Sequence, residues 1–228
     1  KQRSETYDKT SWVNNNDLLD ECIKDIKNYS CNIKILDAGA GTGAITNKLF
    51  EINYKNIIAF DKSEDMLKKI KYPVEKMLVN IEKLKFNNNS FDYIFCRNVL
   101  QYVDTKKTIN ELIRVAKKKI IISQAIPYND EISSEYDYLI NRNIHFPTQS
   151  EITSILNLNK VSLNFVRKTH RLNINNWLKN TTSNDEDYKE GLLRHINSSD
   201  EYKKTVNMEI NDNIITLDTI HIIITIKI

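Results

Sequence analysis

The stretch Ile35-Leu-Asp-Ala-Gly-Ala-Gly-Thr-Gly43 holds three of the chain's four glycines, Gly39, Gly41 and Gly43, just behind the acid Asp37. Glycine costs backbone entropy, and it is justified by a conformation or a close approach that a Cβ would forbid. A short apolar run before the glycines and a helical pattern after them make a strand, a turn and a helix start. The free N–H groups of such a start face outward and suit a nucleotide-like ligand. A second acid, Asp61, ends the next apolar run, where a carboxylate can accept hydrogen bonds from two sugar hydroxyls.

Two ligand classes use this geometry. Gly39, Gly41 and Ala44 fit the G-x-G-x-x-A variant of the dinucleotide fingerprint, and Asp61 lies at the spacing of a ribose-binding acid. S-adenosylmethionine offers the same ribose and adenine, but it has no pyrophosphate and carries a cationic amino acid arm. Asp37 beside the first glycine would repel a pyrophosphate and attract a cation. That charge favours the methyl donor over a nicotinamide cofactor.

The elements that must position these residues alternate. Asp17–Tyr29 reads as a helix with Asp17 as cap. Strands are predicted at Asn32–Asp37, Asn56–Phe60, Met77–Val79, Tyr93–Cys96 and Lys119–Ser123. Helices are predicted at Thr42–Ile52, Ser63–Ile70 (Ser63 as cap) and about Lys106–Ala116. Five such alternations with short connections indicate a doubly wound parallel sheet. Further on, Glu131–Ile144, Ser150–Leu158 and Leu192–Ile196 read as helices, Lys160–Leu172 as a strand, and Asn180–Lys189 as a polar run. The tail reads as two strands around a turn at Asn211–Asn213. The expected fold is α/β, doubly wound, with a mostly parallel seven-stranded sheet and an antiparallel C-terminal strand pair. Residues 1–228 form one domain, with residues 1–30 as a helical lid segment and 127–158 as an insertion covering the substrate pocket.

The blocks ILDAGAGTG, AFDKSEDML and VNIEKLKFNNNSFDYIFCRNVLQYV together resemble the class I SAM-dependent methyltransferases, in the subgroup of ubiquinone-pathway and small-molecule enzymes. The resemblance covers about residues 34–123. It implies that Asp37, Ala38, Gly39, Gly41 and Gly43 hold the methionine arm and ribose, and that Asp61 takes the ribose hydroxyls. Lys62 and Met66 would line the adenine, Asn80 and Ile81 would address its amino edge, and Arg97 would place its carbonyl near the sulfonium. The family more often has Asp where this chain has Asn80. The implied activity is methyl transfer from S-adenosylmethionine, giving S-adenosylhomocysteine, to a small-molecule acceptor at N, O or C.

Acceptor residues are sought outside these blocks. Tyr102, His145 and Tyr7 are candidate catalytic groups, with His145 as a general base. Tyr102, Tyr138, Arg142 and Trp12 are candidate substrate contacts, Arg142 as a clamp for a carboxylate. The place after the fourth strand reads CRNVLQY and lacks the Asn/Asp-Pro-Pro-aromatic loop of amino-group methylases on adenine or glutamine. Phe95 precedes Cys96 where cytosine-5 enzymes usually have proline before their nucleophile. His170 reads as structural and Trp177 as an anchor.

Composition narrows the rest. A net charge of +3 in 228 residues makes nucleic acid an unlikely partner, and Lys117–Lys119 reads as a solvated face. Cys22, Cys31 and Cys96 have neither disulfide nor metal-ligand spacing, so no metal is expected. The start KQRSETYDKT has no apolar leader pattern, and no run approaches the ~18 apolar residues of a membrane span. A reduced, cytoplasmic protein is expected, open to a homo-oligomer or protein partner. The competing readings are an RNA base methyltransferase of the same fold, such as one acting on tRNA, and an inactive SAM-binding partner subunit.

Overall fold

The computed structural model describes residues 16–140, 144–173, 185–212 and 214–228. A sheet of eight strands runs through it. Five are parallel: β1 (Ile35–Ala38), β2 (Ile57–Asp61), β3 (Glu75–Leu78), β4 (Phe91–Arg97) and β5 (Ala116–Ile126). Three are antiparallel additions: β6 (Val161–Asn173), β7 (Glu209–Asn211) and β8 (Ile214–Lys227). The order is β3-β2-β1-β4-β5-β8-β6, with β7 pairing the start of β8. The strand order therefore reverses at β1, which lies between β2 and β4, and ligands of open α/β sheets bind beyond the carboxyl ends at that point.

Helices cover both faces. On one, α1 (Asn16–Ile23) and α2 (Ala44–Glu51) bury Leu18, Cys22, Ile45 and Leu49 against Ile35, Tyr93, Phe95 and Ile223. On the other, α4 (Thr105–Val115) sets Ile109, Leu112 and Val115 on Leu36, Ile94, Ile122 and Ile222. Between these two helices in the chain comes the single turn α3 (Glu64–Leu67). The remaining helices are α5 (Ser133–Ile140), α6 (Gln149–Ile155), α7 (Asp185–Ile196) and α8 (Asp200–Thr205). A smaller core of Leu139, Tyr202, Ile215 and Leu217 joins α5, α8 and the start of β8.

The alternation over residues 34–123 is as the sequence pattern predicts, and the antiparallel pair is present, but four details differ. The tail does hold two antiparallel strands, β7 and β8, but β7 is only three residues long and makes an eighth strand, and the long antiparallel partner of β8 at the sheet edge is β6. The polar run at Asn180–Lys189 contains the start of α7, whose first residue is Asp185. Asp17 is not a cap but lies inside α1, its carboxylate paired with Lys168 of β6. Lys119 is also no solvated residue: it is buried, paired with Asp25 at 3.4 Å and set over the rings of Tyr29 and Tyr93.

Candidate active site

At the carboxyl ends of β1, β2 and β4 lies a cleft of about 640 Å³. Its floor is the loop after β1. Asp37 is buried at the end of that strand, and its Oδ2 accepts from the Thr46 N–H at 3.0 Å and the Thr46 hydroxyl at 2.6 Å. This bond ties the strand to the first turn of α2, where the helix dipole favours a carboxylate. Burial nevertheless raises the Asp37 pKa to about 6; Thr46 lowers it, the Asp61 carboxylate raises it and the Arg97 charge lowers it.

Asp61 ends β2 with both oxygens engaged: Oδ2 accepts from the Gly41 N–H and Oδ1 from the Ser63 N–H, each at 2.9 Å. It therefore holds the glycine loop and the α3 start together, and each oxygen keeps a second lone pair for a ligand. Ser63 caps α3 as expected, accepting from the Met66 N–H. Across the mouth, the Lys62 ammonium stands 5.6 Å from the centre of the Tyr102 ring.

The glycines have two separate reasons. At Gly39, φ is +72°, and a Cβ would stand 2.4 Å from Val99 Cγ2; at Gly43, φ is +89°, and a Cβ would meet Ile70 at 2.8 Å. The close approach at both is made by this chain's own side chains. At these two positions the glycine is thus required by the chain's own packing and backbone conformation, before any ligand is considered. Gly41 is left-handed as well, at φ +56°.

Ten of the expected residues line one cleft: Asp37, Gly39, Gly41, Asp61, Lys62, Met66, Asn80, Ile81, Arg97 and Tyr102. Ala38 and Gly43 do not line it, since Ala38 is fully buried in β1 and Gly43 is the cap residue of α2. Asn80 lines the rim, but its Oδ1 accepts from the Glu82 N–H at 3.0 Å, closing a local turn. Sequence reasoning missed Thr46, although a Thr in the first turn of the helix after the loop was the available signal. It also missed Val99 and Asn98, both cleft-lining, whose neighbourhood becomes visible only when β4 pairs β1.

The expected acceptor residues are not gathered there. Tyr138 is exposed and stands beside Arg194 rather than the cleft. Tyr7, Trp12 and Arg142 lie outside the described residues, as do Trp177 and residues 1–15, on which the lid expectation rests; residues 16–28 pack on the sheet or flank it. No described residue of 127–158 lines the cleft. His145 is also elsewhere, with Nδ1 at 2.7 Å from Asp137 and Nε2 at 2.9 Å from Glu151. Both ring nitrogens are occupied in tying α5 to the α6 cap, so the structure does not support its assignment as general base. His170 is structural, its Nε2 at 2.8 Å from the Thr219 hydroxyl.

Partial burial pulls the His145 pKa down, but the bonds to Asp137 and Glu151 outweigh it and leave the pKa above its ordinary value. The tie is therefore complete below the unfolded pKa and is lost as pH rises through the folded one. His145→Ala is expected to cost about 0.5 kcal/mol at acid pH, an exposed ion pair being screened by solvent. Melting curves of the two proteins should converge in alkali, with ligand binding at the cleft unaffected.

Comparison with known proteins agrees with this architecture. Residues 36–122 match the family model described as a methyltransferase domain. The YcgJ protein of Bacillus subtilis superposes with a TM-score of 0.79 at 20% identity, covering 93% of this chain and 98% of that one. This is the Rossmann-like methyltransferase fold. Within that fold, a phosphoethanolamine N-methyltransferase of Haemonchus contortus, solved with phosphomonomethylethanolamine and S-adenosylhomocysteine, aligns at TM-score 0.57 and 16% identity. The alignment covers 91% of this chain and 52% of that one. By sequence, an uncharacterized protein of Methanocaldococcus jannaschii is 33% identical over 107 residues, or 45% of this chain. The chain spans under half of that relative's length, the match covering 46% of it. Among the described residues, no group of three or more His, Cys, Asp or Glu could hold a metal, and no helix is long and apolar enough to cross a membrane.

Proposed function

We propose that this chain transfers a methyl group from S-adenosylmethionine to a small-molecule acceptor, at N, O or C. The observation that carries the reading is the pair of carboxylates, Asp37 and Asp61, facing one cleft at the strand-order reversal. Two acids in one cleft, the Asp61 carboxylate near enough to raise the Asp37 pKa, repel a pyrophosphate and suit a ligand with a cationic arm and a ribose. Asp61 accepts the ribose hydroxyls while its other lone pairs hold the loop. Ile81 and Met66 offer apolar contact to the adenine, and the Arg97 carbonyl lies on the sulfonium side. Asn80 accepts from the adenine amino group with whatever capacity its local turn leaves.

A bound donor would supply an electrophilic methyl, its S–CH3 bond breaking as the acceptor's lone pair bonds the carbon and the electron pair leaving with sulfur in S-adenosylhomocysteine. The chain's part is to hold both partners at near-attack distance, which supplies much of the acceleration. An acceptor proton, where there is one, passes to a base or to water. With His145 held away from the cleft, Tyr102 is the remaining described candidate at its rim. A small acceptor accords with the ligands of the Haemonchus enzyme and with the chain's small net charge. Labelled methyl transfer tests the reading against a panel of small amines, phenols and carboxylic acids, with tRNA as the contrasting substrate. Transfer to tRNA alone, or to nothing despite donor binding, would favour the competing readings.

Donor affinity should depend on pH through Asp37. Its folded pKa of about 6 lies above the ordinary carboxylate value, so the fold favours the protonated form and loses that contribution as pH rises through 6. The α-ammonium of the amino acid arm, which S-adenosylhomocysteine shares with the methyl donor, pairs with the ionised form. Affinity for S-adenosylhomocysteine should thus be flat above the folded pKa and fall by roughly tenfold per pH unit below it. Calorimetry across that range reads the break directly, and Asp37→Asn should remove it.

A further inference from the structure

The cleft wall after β4 is held by a buried amide relay that lines no part of the cleft itself. Gln124 of β5 is fully buried among apolar side chains of the α4 face. Its Nε2 donates to Gln101 Oε1 at 2.8 Å and to the Ala125 carbonyl at 2.9 Å, while its Oε1 accepts from the Leu100 N–H at 3.1 Å. Gln101, also buried, passes the relay on by donating from Nε2 to the Asn98 carbonyl at 2.9 Å. Asn98 sits at φ +52°, a conformation that costs energy outside glycine, and its Oδ1 accepts from the Ala125 N–H at 3.1 Å.

Placing two amides in an apolar core costs free energy unless every group is paired, and even then an apolar core would serve stability as well. What the relay supplies is geometry. It fixes the backbone of residues 98–101, and within that segment Val99 is keyed against Gly39, where a Cβ would come within 2.4 Å of Cγ2. A shift of the loop would move Val99 off the glycine turn and carry Tyr102 with it, since the Tyr102 N–H bonds to the Val99 carbonyl at 2.9 Å. Both residues line the cleft.

We infer that Gln124, acting through Gln101 and Leu100, is the positioning residue that fixes the β4 wall of the donor cleft. This rests on the reading that the cleft holds the methyl donor. The test is calorimetric titration of S-adenosylhomocysteine into wild type, Gln124→Met, Gln101→Met and the double variant, below all melting temperatures. Ile224→Val, a core truncation on the same face, is the control. Gln124→Met should raise Kd by about tenfold or more, as loss of a bond and its neighbour's pairing implies, while the control loses thermal stability and keeps wild-type Kd. The double variant should cost no more than the larger single, because the two amides act as one unit.

A Kd within about twofold of wild type in Gln124→Met, or fully additive losses in the double, overturns the assignment. If Gln124→Met does not fold, Gln101→Met is judged by the same thresholds. Wild type that fails to bind overturns the donor reading as well, whereas binding wild type with an unaffected variant overturns this inference alone.

Discussion

Asp61→Ala is expected to abolish measurable binding of S-adenosylhomocysteine while leaving the protein folded. The carboxylate is partly exposed and carries the Gly41 and Ser63 N–H groups, which water can satisfy after truncation. The ribose hydroxyls have no such substitute inside an occupied cleft. Hydrogen bonds to a charged acceptor contribute about 1.5–3 kcal/mol each, so losing two predicts a Kd raised by ~10²–10⁴. Asp61→Asn keeps one acceptor oxygen and should lose less. Titration with a thermal melt on the same samples separates binding from folding; an Asp61→Ala protein with near wild-type Kd would show that the sugar is held elsewhere.

The second large effect is at Gly39. A Cβ there meets Val99 Cγ2 at 2.4 Å, on a β-branched side chain that cannot swing aside, and the backbone stands at φ +72°. Left-handed geometry costs about 1–2 kcal/mol for a residue with a Cβ, and overpacking adds about 1–3. Gly39→Ala should therefore lose ~2–5 kcal/mol in chemical denaturation. Val99→Ala in the same chain should restore the overpacking part and leave the backbone part, a non-additivity that marks direct contact. A single variant as stable as wild type, or a double variant with no recovery, would contradict the packing described.

The parallel half of the fold was legible because β1, β2 and β4 are short apolar runs, largely buried and separated by turn signals; the edge strand β3, Glu-Lys-Met-Leu and mostly exposed, gave the weakest signal. The order of the antiparallel strands was legible too, but unread. Ile220-His-Ile-Ile-Ile-Thr-Ile226 is nearly continuous and apolar, as befits an interior strand, and β8 does lie between β5 and β6. Val161–Asn173 alternates with polar residues, as an edge strand does. The helix α8 escaped notice because it is one and a half turns long with one buried residue, Tyr202. Its Ser199 cap and acidic first turn were the available signs.

The donor side of the site was legible because its residues sit at fixed offsets from a glycine turn. The acceptor side was not. His145, Tyr138 and Tyr102 have the right chemistry, but only the strand order decides which of them reaches the cleft, and only Tyr102 does. The same holds for Thr46 and Gln124, whose partners lie nine and twenty-three residues away in sequence.

The most direct test is a crystal structure of the chain soaked with S-adenosylhomocysteine. The ribose should lie within hydrogen-bond reach of Asp61, the amino acid arm beside Asp37, and the adenine between Met66 and Ile81. Density for the nucleoside at any other place, or a cleft without ligand density at saturating S-adenosylhomocysteine, would contradict the account.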